Sequence, residues 1–150
     1  MDRFDLGAHT RRISTASPNA QKWFNLGLNW CYGFNQEEGV KCFRKALQSD
    51  PDCLMAHWGI AYASGPFYNL PWRDLGAIEA EAVTALAFEH VGLARERFEV
   101  ATQVERRLVD RCLAAIRSRT LYRPRSLTGG TTIMPPRCAV SITSSRTTMT

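Results

Sequence analysis

Apolar residues recur at spacings of three and four through most of the first 117 residues of this 150-residue chain, which predicts an all-helical fold. Five helices follow from this spacing, over about 18–32, 36–49, 52–63, 74–101 and 103–117. Residues 1–16 lack clear periodicity, and we expect them to form an extended N-terminal arm. The helical domain is therefore predicted to cover residues 17–118.

Two of these helices carry matching apolar stripes and small residues. The stripe of the first helix consists of Trp23, Leu26 and Trp30, and that of the second consists of Val40, Phe43, Ala46 and Leu47. Gly27 and Gly39 have no side chains, so the two backbones can approach closely where the helices cross. We expect Trp23 and Phe43 to fill the space around that crossing.

Capping residues mark the helix ends. Ser17-Pro18 is typical of an N-cap followed by proline in the first turn, and Asn35 with Glu38 forms a capping-box pattern. The pair Asp50-Pro51 predicts a further helix start by the same reasoning. Thr102 and Glu105 repeat the capping-box spacing, and the apolar face of the helix that follows is expected at Val104, Leu108, Cys112 and Ile116.

Residues 20–53 resemble one tetratricopeptide repeat, a helix–turn–helix unit of about 34 residues. The residues that carry the resemblance are Trp23, Leu26-Gly27, Trp30, Gly39, Phe43, Ala46 and Pro51. A degenerate second repeat begins at 54, where His57 replaces the expected tryptophan and Ile60-Ala61 replace the Leu-Gly pair. The resemblance implies antiparallel helical hairpins that stack as a short solenoid.

A solenoid of this family binds protein or peptide partners on its concave face, which the first helix of each repeat lines. The positions that this implies as a partner-binding groove are Phe24, Asn25, Leu28, Met55, Trp58 and Tyr62. The Lys and Arg residues with which some relatives clamp a C-terminal carboxylate are absent from these positions. Either the groove takes a helix or extended peptide with hydrophobic anchors, or its aromatic side chains are covered by the arm or by later helices.

The segment 6–72 also resembles the start of longer, uncharacterised microbial tetratricopeptide proteins. Phe67, Tyr68 and Trp72 lie in a loop that either packs over the hairpin or takes part in binding. Residues 119–150 are rich in Ser, Thr, Arg and Pro and have no acidic side chain, so we expect a disordered tail. This change of character is consistent with a truncated or frame-shifted end, in which case the activity lies elsewhere in a larger protein.

The net charge of +5 belongs to the C-terminal part of the chain. The first 110 residues carry 12 basic and 14 acidic side chains, whereas all later charged residues are arginines. A nucleic-acid-associated role would have to depend on that tail alone, and we regard nucleic acid as the less favoured partner. No secretory signal or membrane-spanning apolar run is evident, so we expect a cytoplasmic protein.

Motifs for catalysis, metal binding and cofactor binding are missing from the sequence. The five cysteines contain no CxxC pair and are predicted to be buried structural thiols. His9, His57 and His90 lie in different segments, and we expect His57 to be a packed residue. Glu37 and Glu38 are adjacent on a helix and suit its N-terminal dipole better than acid–base chemistry. We therefore expect a non-catalytic scaffold without cofactor or metal.

Overall fold

The computed structural model describes residues 5–65 and 74–120, and this part of the chain contains five α-helices and no strand. The helices are α1 (Pro18–Tyr32), α2 (Gln36–Ser49), α3 (Leu54–Ser64), α4 (Ala77–Arg95) and α5 (Gln103–Thr120), with a 3-10 helix at Phe98–Val100. The prediction of an all-helical protein is confirmed for these residues. Residues 119 and 120, the first two of the predicted tail 119–150, belong to the end of α5 instead. The aromatic loop residues Phe67, Tyr68 and Trp72 and the rest of the tail, from 121 onward, lie outside the described residues.

Local capping explains why α1 and α2 begin where the sequence predicts. The Ser17 side chain accepts a hydrogen bond from the Ala20 N–H, and Asn35 Oδ1 accepts one from the Glu38 N–H. The Thr102 capping box is complete, because Glu105 N–H donates to Thr102 Oγ1 while Glu105 Oε2 accepts from the Thr102 N–H.

The prediction that Asp50-Pro51 caps α3 is wrong. The helix begins later, at Leu54, after the N-cap residue Cys53. Asp50 instead forms a turn, in which its Oδ1 accepts from the Asp52 N–H and its carbonyl accepts from the Cys53 N–H. The Oδ1 atom of Asp50 therefore stabilises the turn before α3 and does not cap the helix.

Helices α1 and α2 are antiparallel, as three successive contacts between them indicate. A Cβ atom at Gly39 would lie 2.6 Å from the Sγ of Cys31, and one at Gly27 would lie 2.6 Å from the Phe43 ring. Lys45 Nζ lies 4.4 Å from the centroid of the Trp23 ring. The contact positions rise from 39 to 45 along α2 while they fall from 31 to 23 along α1, which is the arrangement of a helical hairpin.

Helix α3 lies at the centre of the structure and contacts each of the other four helices. Nine of its eleven residues are buried, so it has no polar face. Gly59 lies against the Phe43 ring, from which an added Cβ would be only 2.7 Å away. The Phe43 ring is thus enclosed between Gly27 on α1 and Gly59 on α3, with no room for a side chain on either.

The buried face of α1 differs from the predicted stripe. Its buried residues are Ala20, Phe24, Gly27, Leu28 and Cys31, whereas Trp23, Leu26 and Trp30 are only half-buried. The Phe24 ring packs on the Phe43 ring with a centroid distance of 5.6 Å. Phe24 therefore occupies the central position that the sequence analysis gave to Trp23, and Trp23 packs at the edge of the core.

A similar shift affects α5. Val104 is 55% exposed, and the buried side chains of the helix include Val109 and Leu113 in addition to the predicted Cys112 and Ile116. Glu105 occupies the buried side of the first turn in place of an apolar residue. The reason is its role as a hydrogen-bond acceptor for the arm.

Candidate functional site

The six predicted groove residues divide into two classes in the structure. Four of them are buried, with exposed fractions of 0% for Phe24, 2% for Leu28, 0% for Met55 and 4% for Trp58. These four belong to the hydrophobic core and offer a partner no open surface in this arrangement. Asn25 and Tyr62 are half-buried, and the Tyr62 ring stacks on Trp58 at 5.1 Å.

The open side of α1 carries a row of three amide side chains instead. Gln21, Asn25 and Asn29 follow one another at intervals of four residues, which places them on one face of the helix. We call these three residues the amide row. Asn25 belongs both to this row and to the predicted groove.

The amide row binds the backbone of the N-terminal arm. Gln21 Oε1 accepts from the Ile13 N–H at 3.0 Å, and Gln21 Nε2 donates to the Arg11 carbonyl at 2.8 Å. Asn25 Oδ1 accepts from the Arg11 N–H at 3.1 Å, and Asn29 Nδ2 donates to the Gly7 carbonyl at 3.4 Å. Residues 7–13 of the arm consequently run antiparallel to α1, and the described part of the arm, residues 5–16, forms neither helix nor strand.

The amide row is internally ordered. Gln21 Nε2 also donates to Asn25 Oδ1 at 3.0 Å, so the two side chains orient each other. Each therefore presents a fixed donor or acceptor to a backbone that has no regular structure. A carboxamide can donate and accept at once, which suits it to a peptide backbone that does the same.

Glu105, from the first turn of α5, fixes the next residue of the arm. Its Oε1 accepts from the Ser14 N–H at 2.7 Å, and its Oε2 accepts from the Ser14 hydroxyl at 2.6 Å. Oε2 also accepts from the backbone N–H and the hydroxyl of Thr102. The Glu105 residue is only 3% exposed, so these donors take the place of water around its carboxylate.

The protonation of Glu105 follows from this environment. Burial by itself raises the pKa of a carboxyl group, but the hydrogen bonds from Ser14 and Thr102 outweigh it and hold the pKa of Glu105 below its usual value. The carboxylate is therefore ionised at neutral pH, and it depends on its four donors. We call the amide row and Glu105 together the arm site.

Two further contacts complete the seating of the arm. Ile13 is 6% exposed and packs in the hydrophobic core, while the Thr15 hydroxyl donates to Asp50 Oδ2 at the end of α2. Arm residues 11–15 thus contact α1, the end of α2 and α5. Of the six predicted groove residues, Asn25 is the one that forms a hydrogen bond with the described part of the arm.

A second polar cluster lies between α3 and α4, where two histidines meet. The Nδ1 atoms of His57 and His90 are 2.9 Å apart, so only one of them carries the proton of this hydrogen bond. Burial, with His90 and Arg97 as nearby positive charges, lowers the pKa of His57 to about 4. The pKa of His90 is lowered too, chiefly by burial.

The histidine pair and the cysteines provide no evident chemistry. Among the described residues, no three His, Cys, Asp or Glu side chains lie close enough together to hold a metal ion. Cys31, Cys42, Cys53 and Cys112 are buried, as predicted, and within the described part of the chain they form no disulfide. Burial raises the pKa of Cys31 to about 12 and that of Cys53 to about 11, so neither thiol is a ready nucleophile at neutral pH.

Sequence reasoning missed the amide row and Glu105 as a site. The signal for the amide row was the four-residue spacing of Gln21, Asn25 and Asn29, because that spacing places all three side chains on one face of the helix. The capping box was recognised, but a second partner for Glu105 was not. That partner, Ser14, lies 91 residues away in a segment without periodicity.

Comparison of the chain with protein-family models, with curated proteins and with solved structures finds no match in any of the three. Within residues 5–65 and 74–120, no helix combines the length and the apolar character that crossing a bilayer requires. The arm site is therefore the feature of the molecule from which a function can be inferred.

Proposed function

We propose that this protein is a non-catalytic scaffold of tetratricopeptide type, which binds a segment of a partner protein along the open side of α1. The observation that carries the proposal is the amide row, which satisfies the backbone of a segment without regular structure. A site that binds a backbone through side-chain amides accepts such a segment from another chain by the same hydrogen bonds. In this proposal the N-terminal arm occupies the site in the absence of a partner.

The tetratricopeptide assignment has physical support in the packing. Gly27, Gly39, Phe43 and Ala46 stand at the positions of the repeat pattern, and the first three meet where α1 and α2 cross. Gly59 extends the same contact to α3, which is the kind of contact that stacks one repeat on the next. The solenoid arrangement and a cytoplasmic location are parts of the proposal.

Burial changes which of the expected residues belong to the proposed site. Phe24, Leu28, Met55 and Trp58 act in this proposal as the core on which the site is built. Asn25 is the predicted residue that touches the bound segment. Gln21 and Glu105 join it, because each forms two hydrogen bonds to the arm.

Affinity capture with the full chain tests the proposal. The release variant is Ser14→Asp, in which a second carboxylate opposes Glu105 and drives the arm off its site. We expect it to recover partners that the wild type recovers weakly, and we expect Gln21→Ala/Asn25→Ala in the same background to lose them. The charge control is Ala16→Asp, because Ala16 is exposed, and the amide control is Asn19→Ala.

The outcome that contradicts the proposal is equally clear. If the release variant and its amide-row derivative recover the same proteins in the same amounts, the open side of α1 is not a binding surface. Circular dichroism of each variant establishes that the comparison concerns folded protein.

A further inference from the structure

We infer that the arm site selects partner segments in which a branched apolar residue is followed directly by serine or threonine, and that Glu105 reads the hydroxyl group. This inference deepens the proposed function and rests on it. The arm supplies the template, with Ile13 as the apolar residue and Ser14 as the hydroxyl residue. The occupant that we commit to is a segment of a different protein with this pattern and no helical structure.

The contacts of the arm separate sequence-independent from sequence-dependent recognition. Gln21 and Asn25 reach the arm through backbone atoms of Arg11 and Ile13, so they accept almost any residue there. Selectivity for particular residues arises from two side chains of the arm, those of Ile13 and Ser14. Ile13 is buried in the core, and the Ser14 hydroxyl donates to Glu105 at 2.6 Å.

Glu105 makes the hydroxyl residue the strictest requirement. Both of its oxygens bond to Ser14, one through the backbone N–H and one through the hydroxyl. A residue without a hydroxyl group leaves Oε2 with the Thr102 donors alone, and a carboxylate this well buried loses affinity when a donor is removed. A partner with alanine at this position should bind roughly tenfold to a hundredfold more weakly.

The burial of Ile13 determines which residue can precede the hydroxyl residue in a partner segment. The Ile13 side chain is 6% exposed and belongs to the same core cluster as Phe24 and Leu28. A charged residue there would have to be buried without a partner, which is strongly unfavourable. A branched apolar residue fits, whereas aspartate at this position should abolish binding.

Because the arm occupies the site in the isolated protein, it blocks the binding of any other segment there. It is joined directly to α1 at Ser17, so its effective concentration at the site is on the order of millimolar. A partner segment must exceed this competition or bind after the arm has left. Binding in trans is therefore weak unless the arm is prevented from rebinding.

Peptide binding to the full-length Ser14→Asp variant provides the test. The probe is a fluorescein-labelled peptide with the sequence of residues 7–16, measured by fluorescence anisotropy. We expect it to bind the release variant, to bind the wild type and Ala16→Asp at least tenfold more weakly, and to lose binding when Gln21→Ala/Asn25→Ala is added. Peptides with Ser14→Ala or Ile13→Asp should bind at least tenfold more weakly than the probe.

A second release variant protects the test against misfolding. Ser14→Pro removes both the N–H and the hydroxyl donor without adding charge, and it should behave like Ser14→Asp. If circular dichroism shows that both variants unfold, the arm is an inseparable part of the core and the inference is overturned. It is also overturned if a folded release variant binds the serine and alanine peptides equally well.

Two further outcomes separate this inference from the proposed function. If the release variant captures proteins in an amide-row-dependent way but does not discriminate among the peptides, the proposed function stands and the selectivity rule fails. If light scattering shows a wild-type dimer that Gln21→Ala/Asn25→Ala converts to a monomer, the arm is exchanged between copies of this chain, and a different protein as occupant is ruled out.

Discussion

Two regions hold parts of this chain together by different kinds of contact. One is the packing around Phe43, which we call the junction, and the other is the arm site. At the junction, an aromatic ring is enclosed by Gly27 and Gly59 without a polar contact, and a single added Cβ would overlap it. At the arm site, amide and carboxylate side chains hold the N-terminal arm chiefly by hydrogen bonds, and the buried Ile13 side chain adds an apolar contact.

This difference distinguishes a contact that depends on shape from a contact that depends on hydrogen bonds. Close apolar packing depends on shape and tolerates no substitute, so the junction can only hold the helices together. Hydrogen bonds to a backbone are reproduced by any segment that presents the same donors and acceptors. In the proposed function, the arm site therefore serves as the binding site, while the junction is part of the core.

The largest expected effect is on the junction. Phe43→Ala should lower the free energy of unfolding by about 3–5 kcal/mol, because the ring is fully buried and leaves a cavity among three helices. Urea denaturation followed by circular dichroism measures this loss. Trp23→Ala, at a half-buried ring, is the matched control and should lose clearly less; equal losses would show that Phe43 is not the centre of the junction.

The histidine pair between α3 and α4 differs from both regions, because it is a polar contact between packed helices. His57 is neutral in the folded protein at pH values where the unfolded chain is protonated, so the unfolded state binds more protons between about pH 6.5 and 4. Its stabilisation is complete above pH 6.5 and is lost as the pH falls toward 4.

This linkage predicts a loss of roughly 2 kcal/mol from His57 between pH 7 and pH 5. The surrounding charges are Arg97 and Asp52 near His57, and Glu89 and Arg44 near His90. Urea denaturation at both pH values measures the change, with His57→Gln as the comparison. A variant that keeps the full pH dependence of the wild type would assign the effect to other groups.

The arm site should show a smaller effect on stability. Ser14→Ala removes one hydroxyl donor from Glu105, which should lower the free energy of unfolding by about 1–2 kcal/mol. Ser118→Ala is the control, since that exposed hydroxyl donates only to the nearby Ala115 carbonyl. If the two variants are equally stable, the Ser14 hydroxyl contributes nothing to the seating of the arm.

How much of this arrangement could be predicted depends on the range of the interactions. The bounds of α1 and α2 followed from Ser17, Asn35 and Glu38, because capping is decided within four residues of the chain. The choice between the two sides of α1 was not local. Both sides carry apolar residues, and the ring contact with Phe43 decides that Phe24 faces the core while Trp23 lies at its edge.

The candidate site was predicted least well, for the same reason. Ser14 and Glu105 are 91 residues apart, and His57 and His90 are 33 apart, so no periodicity connects either pair. Residues 5–16 of the arm form no helix or strand from which a contact could be inferred. Asn25 was identified because helical spacing places it beside the expected groove, which is a local property.

The smallest expected effect lies outside both contacts, in the turn between α1 and α2. Phe34 has a φ of 64°, in the left-handed region, and its side chain is 63% exposed. Phe34→Gly should raise the free energy of unfolding by about 0.5–1 kcal/mol, because glycine adopts this conformation without strain. Phe34→Ala, which keeps the strain, should show no such gain in urea denaturation; a gain of equal size would assign the effect to the exposed ring.

Native-state hydrogen exchange at the amides of Arg11, Ile13 and Ser14 tests the central claim most directly. The account predicts that these amides are protected in the wild type and exchange at least tenfold faster in Gln21→Ala/Asn25→Ala, whereas the amides of α2 and α3 keep their wild-type rates. If the arm amides are unprotected in the wild type, or if arm and helix amides accelerate together, the arm is not a separately bound segment and the binding site proposed for α1 does not exist.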